Sequence, residues 1–478
     1  MKTAGWFGVG SIVMFGVVAA CGGAKGDPLF SAGDGTDGGA DGTGGPGGPG
    51  GPGGPGDPGG PGDPGGPLPG SDATAPPQCD NLKCKVPTCP NGTTTTITGT
   101  VWDPLGKNPL ANAIVYIPNA KVAPIKHGAS CERCGTVSGA PMATALSDAN
   151  GAFVLKDVPA GGNIPLVVQI GKWRKQVTLP NITVCTENKL ADFNLTRLPA
   201  NQKEGDMPLI ALTGGCDPVH SFLVQKVGVA ATELTDENGA GAVHVFTGAT
   251  NQNAGVATAT DAYAFWGSLP KMLQYDLIIN ECECDHYPRD TVGPAYTNMA
   301  AYLDAGGRVF ASHYQLNFFA GEGGGHSDPE LVSVADWSVW GGSTTANPDT
   351  IDATFPKGKM FADWMQNLPK ASKWGPGIKT SAYGQLNAPM NGDIKATKPG
   401  VSQQWIASGS SVGAMSMNFP VASKPAERCG RAAMTDLHVT NASSTAMIEQ
   451  EAAFEFLLFD LAACVQDDAA APAPPPAR

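Results

Sequence analysis

The sequence predicts a multidomain chain: an all-β sandwich, then a doubly wound α/β domain, both behind a disordered Gly/Pro-rich linker. Three observations predict it. From Gly22 to about Pro77 there is almost no apolar residue to bury, and Gly44 to Pro67 repeats Gly-x-Pro triplets with Gly or Asp in the middle, a composition that cannot build a core. Between Cys79 and Leu198, short β-branched runs are bounded by Gly, Pro, Asn and Asp, as in a sandwich. Beyond Met207, apolar runs suited to buried strands alternate with helical periodicity, as in a sheet covered on both faces.

The first residues read as a secretory signal spanning 1–20. Lys2 supplies the positive start, and the apolar run Trp6 to Val18 is too short to cross a bilayer comfortably. The run ends in Val18-Ala19-Ala20-Cys21 with Gly22 next. This tetrad resembles the bacterial lipobox, which implies lipidation of Cys21. With Gly rather than Asp following, it also implies a place in the outer membrane of a Gram-negative cell, on its surface or periplasmic face. The linker 21–78 would then act as a tether. Its triplet period also permits a collagen helix, but with Gly mostly in the middle position that helix would be weak.

With 478 residues and a net charge of −13, the chain has no Lys/Arg stripe to neutralise phosphates, and nucleic acid is excluded as a partner. Twelve cysteines in an exported chain favour disulfides over metal thiolates. Once the anchor is set aside, the odd remainder leaves at least one outside a bridge. Cys79, Cys84 and Cys89 with Cys185 are expected to tie the sandwich ends together. Cys131 and Cys134 are expected to form a structural disulfide in a loop.

In the sandwich, 79–198, the strands are Ile97 to Asp103, Ala113 to Ile117, Ala152 to Leu155 and Pro165 to Ile170, with a tight turn at Asp148-Ala149-Asn150-Gly151. Gly99-Thr100-Val101, Asp103, Gly106, Pro109-Leu110 and Ala113, followed by Ser147-Asp148, Gly151, Phe153 and Val158-Pro159-Ala160-Gly161, resemble the carboxypeptidase regulatory-like domain. That family implies a prealbumin-type sandwich with a carbohydrate-binding-like fold and no catalytic residues of its own. Trp173 and Arg174, between Lys172 and Lys175, form a candidate glycan contact. The alternative is an edge strand whose Trp packs inward and whose cations deter edge pairing.

In the α/β domain, 207–465, the strands are Pro208 to Thr213, Ala242 to Thr247, Tyr275 to Asn280, Arg308 to Ser312 and Gly430 to His438. Tyr296, Met299, Ala300 and Leu303 mark one helix, and Thr445 to Ala463 another. A large insertion occupies 314–429, and the tail 466–478 has no apolar pattern and is expected to be disordered. Tyr275 to Ile279 and Tyr302 to His313 resemble the class I glutamine-amidotransferase-like fold, in its trehalose-utilisation-type branch. The resemblance implies a flavodoxin-like sheet. It also implies a nucleophilic cysteine in the turn after Arg308 to Ser312, but that turn reads Ser312-His313-Tyr314, so glutamine hydrolysis by that route is not expected. Ser312 and His313, as neighbours on a strand, point to opposite faces and make a poor pair.

Ligands of open α/β sheets bind outside the carboxyl ends of the strands. Those ends place Glu281, Glu283, Asp285, His286, His313, Asp436 and His438 on one rim as a candidate ligand site. Cys216 is expected to pair with Cys282 or Cys284 beside it. A divalent metal held by His313, His438, Glu281 and Asp285 is the sharper alternative. Two functions follow. The first is a non-catalytic surface lipoprotein, without cofactor, that binds carbohydrate or an envelope protein. The second is a metal-assisted hydrolase acting on sugar derivatives at the acidic rim.

Overall fold

Alternating apolar positions build the N-terminal layers: β1 (Thr96–Thr100), β2 (Ile114–Pro118), β3 (Pro141–Leu146), β4 (Ala152–Leu155), β5 (Ile164–Ile170), β6 (Trp173–Leu179) and β7 (Glu187–Lys189). The computed structural model describes residues 79–249, 255–283, 285, 294–321, 327–338, 343–344, 348–374, 378–388, 390–439 and 446–477. The expected signal peptide 1–20, Cys21 and the linker 21–78 lie outside the described residues. One sheet runs β3-β2-β5-β6 and the other β4-β1-β7. Ile97 and Leu155 from the smaller sheet share a core with Val115, Ile117, Leu166 and Val168 from the larger, which is what a period of two dictates for facing sheets. Disulfides Cys79–Cys84 and Cys89–Cys185 close the ends of these layers.

The second half is a parallel sheet. Its strands are β8 (Ile210–Thr213), β9 (Leu234–Thr235), β10 (Val243–Thr247), β11 (Thr260–Asp261), β12 (Leu277–Asn280), β13 (Arg308–Ser312) and, last in sequence, Gly430–Thr435. The spatial order is β11-β10-β8-β12-β13 followed by the Gly430–Thr435 strand, so the first and third long strands are neighbours. Helices cover both faces. Ile210, Leu212, Val243, Val245, Leu277 and Ile279 face α1 (Val219–Phe222) and the C-terminal helix. Ala211, Phe246, Ile278, Val309 and Ala311 face α2 (Ala262–Trp266), α3 (Leu269–Met272) and α4 (Ala295–Asp304).

The insertion contributes α5 (Asn317–Ala320), α6 (Pro329–Val332) and α7 (Pro356–Ala371). It also contributes short strands β14 (Ala335–Trp337), β15 (Ser343–Thr344), β16 (Asp349–Ile351), β17 (Gln385–Leu386), β18 (Met390–Asn391) and β19 (Ile394–Thr397). Its longest strands, β20 (Ser402–Ser408) and β21 (Ser411–Phe419), extend the sheet antiparallel beyond β22 (Gly430–Thr435).

The described residues fall in one compact unit, and the regions predicted at 79–198 and 207–465 both lie within it. The final helix, α8 (Glu449–Ala462), is buried around almost its whole circumference. Phe454 packs against Phe222 and Phe310, Phe459 against Trp173, and Phe456 against Phe361 and Trp364. A helix buried all round belongs between layers rather than on a surface.

One cysteine expectation changes here and another narrows. Cys131 and Cys134 do not bridge each other; they pair with Cys429 and Cys464, fastening the sandwich loop to the far end of the chain. Cys216 is disulfide-bonded to a residue outside the described set, and Cys282 is not its partner. The tail is also not disordered over its described residues. Asp468 is 7% exposed and takes hydrogen bonds from Arg431 (2.9 and 3.0 Å) and Ser416 (3.0 Å), so it neutralises a guanidinium that is itself 1% exposed. A buried cation without such a partner would be strongly destabilising, which is why a polar tail orders.

Where α8 meets the sandwich, Asp103 and Glu455 are both fully buried. Asp103 accepts the amides of Lys107 (2.7 Å) and Asn108 (2.8 Å), and the Asn108 side chain donates to Glu455 at 2.5 Å. Burial pushes Asp103 up to about 7 despite those amides. Burial and the neighbouring Asp103 push Glu455 well above the usual carboxyl range. The folded carboxyls hold a proton up to about pH 7, whereas the unfolded chain releases it near pH 4, so stability falls as pH rises through that window. The loss from pH 5 to pH 8 is expected to be about 3 kcal/mol. Glu455→Gln, whose amide can donate to Asp103 without a titrating proton, should shrink that decline. Tm measured across this range for both proteins checks it.

Candidate functional site

Strands β12, β13 and β22 are parallel neighbours, with Asn280 opposite Ala311 and Ser312 opposite Thr435. Cys282, His313 and His438, each one to three residues past its strand, therefore emerge on the same rim. Cys282 Sγ lies 3.3 Å from His313 Nδ1. The His313 and His438 rings meet edge to face with centroids 4.9 Å apart. One donor atom from each of the three residues lies within 4.8 Å of the others.

Each imidazole has a carboxylate behind it. His438 Nδ1 is 2.9 Å from Asp217, which follows β8. His313 Nε2 is 3.8 Å from Asp393, and the Asn391 amide also contacts that nitrogen. Asn391 and Asp393 come from the insertion, so the insertion completes the site. His313 has φ +42, a left-handed conformation that is uncommon for a residue with a side chain and is concentrated at functional sites. Gly215 lets the β8 exit loop reach this rim, because a Cβ there would sit 2.2 Å from the Cys282 carbonyl.

The predicted set divides. His313 and His438 come together. Glu281 turns away: its Oε2 accepts the Gly215 amide at 2.7 Å, and burial raises its carboxyl well above the usual range. Glu283 is buried and accepts the Ala249 amide at 3.0 Å. Asp436 is fully buried, raised first by burial and then by Asp393 and Asp349. Asp285 is exposed, and His286 lies outside the described residues. Ser312 donates to the Leu437 carbonyl at 3.1 Å and does not engage His313.

Trp173 and Arg174 are not a surface glycan contact. Trp173 is 0% exposed, with Nε1 donating to the Pro199 carbonyl at 3.2 Å, and Arg174 is paired with Asp206. The reason is β6 itself, whose Trp-bearing face lies under α8.

Sequence reasoning missed Cys282, Asp217, Asn391 and Asp393. The cysteine parity had flagged one thiol outside a bridge. Asp217 follows the Thr213 strand end on the same rim, whereas nothing in the local sequence marked Asn391 or Asp393.

No known protein family matches the sequence, and neither does any curated protein. Among solved structures, two interface mutants of a type II cohesin–X-dockerin complex from Acetivibrio cellulolyticus align over 24% of this chain and 67% of theirs, at 19% identity and TM-score 0.14. A cytoplasmic protein from Salmonella typhimurium aligns over 53% of this chain and 98% of its own, at 9% identity and TM-score 0.27. At these scores neither likeness bears on fold or function.

Proposed function

We propose that this is an exported envelope lipoprotein, anchored through Cys21 in the outer membrane, whose α/β rim binds a divalent transition metal and uses it for hydrolysis. A carboxypeptidase regulatory-like sandwich and a trehalose-utilisation-type amidotransferase-like scaffold are the finer assignments that go with this reading. Its ligand is a sugar derivative or an envelope component. One observation carries the metal: Cys282, His313 and His438 present convergent donors, with Asp217 hydrogen-bonded behind His438 and Asp393 standing 3.8 Å behind His313. That carboxylate–histidine arrangement orients a metal-binding ring and raises its basicity. Three protein ligands leave a fourth position for water, as in catalytic rather than structural zinc sites, and a bound metal lowers that water's pKa toward 7.

The 3.3 Å contact between Cys282 and His313 also favours a second reading, a thiolate nucleophile with His313 as its base. The 0% exposure of Cys282 counts against it, because a nucleophile must be reached by substrate whereas a ligand need only reach the metal.

Elemental analysis of protein purified without chelator decides between them. Near-stoichiometric metal is expected, lost in Cys282→Ser and His438→Ala and kept in Glu281→Gln. Asp217→Asn should weaken metal affinity by about 10- to 100-fold. Metal-free protein whose Cys282 is rapidly alkylated would overturn the metal centre in favour of the thiolate.

A further inference from the structure

Away from the rim, α7 docks against the sandwich, with Trp364 Nε1 donating to the Pro109 carbonyl at 2.7 Å and Ser372 bonding Asn108 at 2.8 Å. The docking leaves an open cleft of about 420 Å³ between the outer face of α7 and the Asp148–Asn150 turn. Its volume falls in the range of small-molecule sites, about 300–1,000 Å³. Lys359, Asp363, Gln366 and Asn367 line one side, at the i, i+4, i+7 and i+8 spacing that puts them on a single helix face. Asp148 and Asn150 line the other, and Tyr383 also lines the cleft.

Tyr383 is 51% exposed, among the most exposed large hydrophobic side chains of the described residues. It is not loose: its hydroxyl donates to Asp363 Oδ1 at 3.0 Å, while Lys359 holds Oδ2 at 2.6 Å. The ring and the carboxylate are thus fixed before any ligand arrives, which reduces the ordering cost of binding. Among the described residues, Asn150, Gln366 and Asn367 spend no side-chain hydrogen bond on the protein. Each amide offers an acceptor and two donors in one plane.

We propose that this cleft binds a short neutral oligosaccharide. A sugar ring has an apolar C–H face that lies on an aromatic ring, and vicinal hydroxyls that each donate and accept, matching planar amides and carboxylates pairwise. Asp148 and Asp363 outnumber Lys359, which is already committed to Asp363, so an acidic glycan meets net repulsion. The proposal is independent of the metal reading, since no rim residue lines the cleft.

Titration calorimetry of the mature chain with cellotetraose, maltotetraose, xylotetraose and chitotetraose tests it. At least one is expected to bind with Kd of about 10 μM to 1 mM. Tyr383→Ala and Asp363→Asn should weaken that binding at least about tenfold without lowering Tm appreciably, and Cys282→Ser should leave it unchanged. Tyr383→Phe, which keeps the ring, should retain most of it. Absence of binding by all four sugars, or binding that survives Tyr383→Ala, would overturn the assignment.

Discussion

Converting Cys131, Cys134, Cys429 and Cys464 all to serine is expected to lower unfolding free energy by about 9 kcal/mol, a large share of what a folded chain typically has. The two bridges span 298 and 330 residues, and in the chain-entropy account such loops restrict the unfolded state most. They are also redundant. With Cys131–Cys429 intact, the second bridge closes a loop of only roughly 40 residues, so Cys134→Ser with Cys464→Ser should cost about 3–4 kcal/mol. Removing the remaining bridge then reopens the long loop, and the second step should cost more than the first. Urea unfolding of the native, double and quadruple variants measures both steps. Equal midpoints for all three would mean that the buried α8 layer alone holds the halves together.

The sequence shows its local patterns plainly and its long-range ones hardly at all. Strands at Ala152–Leu155 and Arg308–Ser312 coincide with the predicted runs, because alternation and β-branching act over a few residues. The helix marked by Tyr296, Met299, Ala300 and Leu303 is α4, and the apolar run before Cys464 is α8. The partners of Cys131 and Cys134 were not legible, since a pairing across some 300 residues leaves no local period. The tail misled for a related reason: Asp468 is ordered by Arg431, a residue on a distant strand.

The candidate site shows the same split. Its strand ends were readable from the sheet rule, and these placed His313 and His438 on one rim. Which neighbour faces inward was not readable, because Glu281, Cys282 and Glu283 are consecutive and a one-residue shift reverses every side chain. The sulfur, rather than either carboxylate, faces the imidazoles. Asp393 entered through the insertion, whose approach depends on β21 pairing with β22.

Trp173→Ala is expected to destabilise the protein by about 4 kcal/mol and to leave ligand binding by the folded fraction intact. The indole is wholly buried, its ring centroid 5.4 Å from Phe459 of α8, and its Nε1 satisfies the Pro199 carbonyl where the sandwich hands over to the parallel sheet. Truncation therefore removes one of the largest fully buried side chains, leaves a cavity between β6 and α8, and strands an acceptor. Trp173→Phe keeps most of the volume and loses mainly the hydrogen bond, so it should cost about half as much. Denaturant unfolding of both variants, with oligosaccharide titration at a denaturant-free temperature well below Tm, separates a packing role from a recognition role. A Trp173→Ala protein of native stability that no longer binds sugar would put the glycan contact back on β6 and remove it from the Tyr383 cleft. The burial of the ring predicts the opposite pairing, lost stability with retained binding.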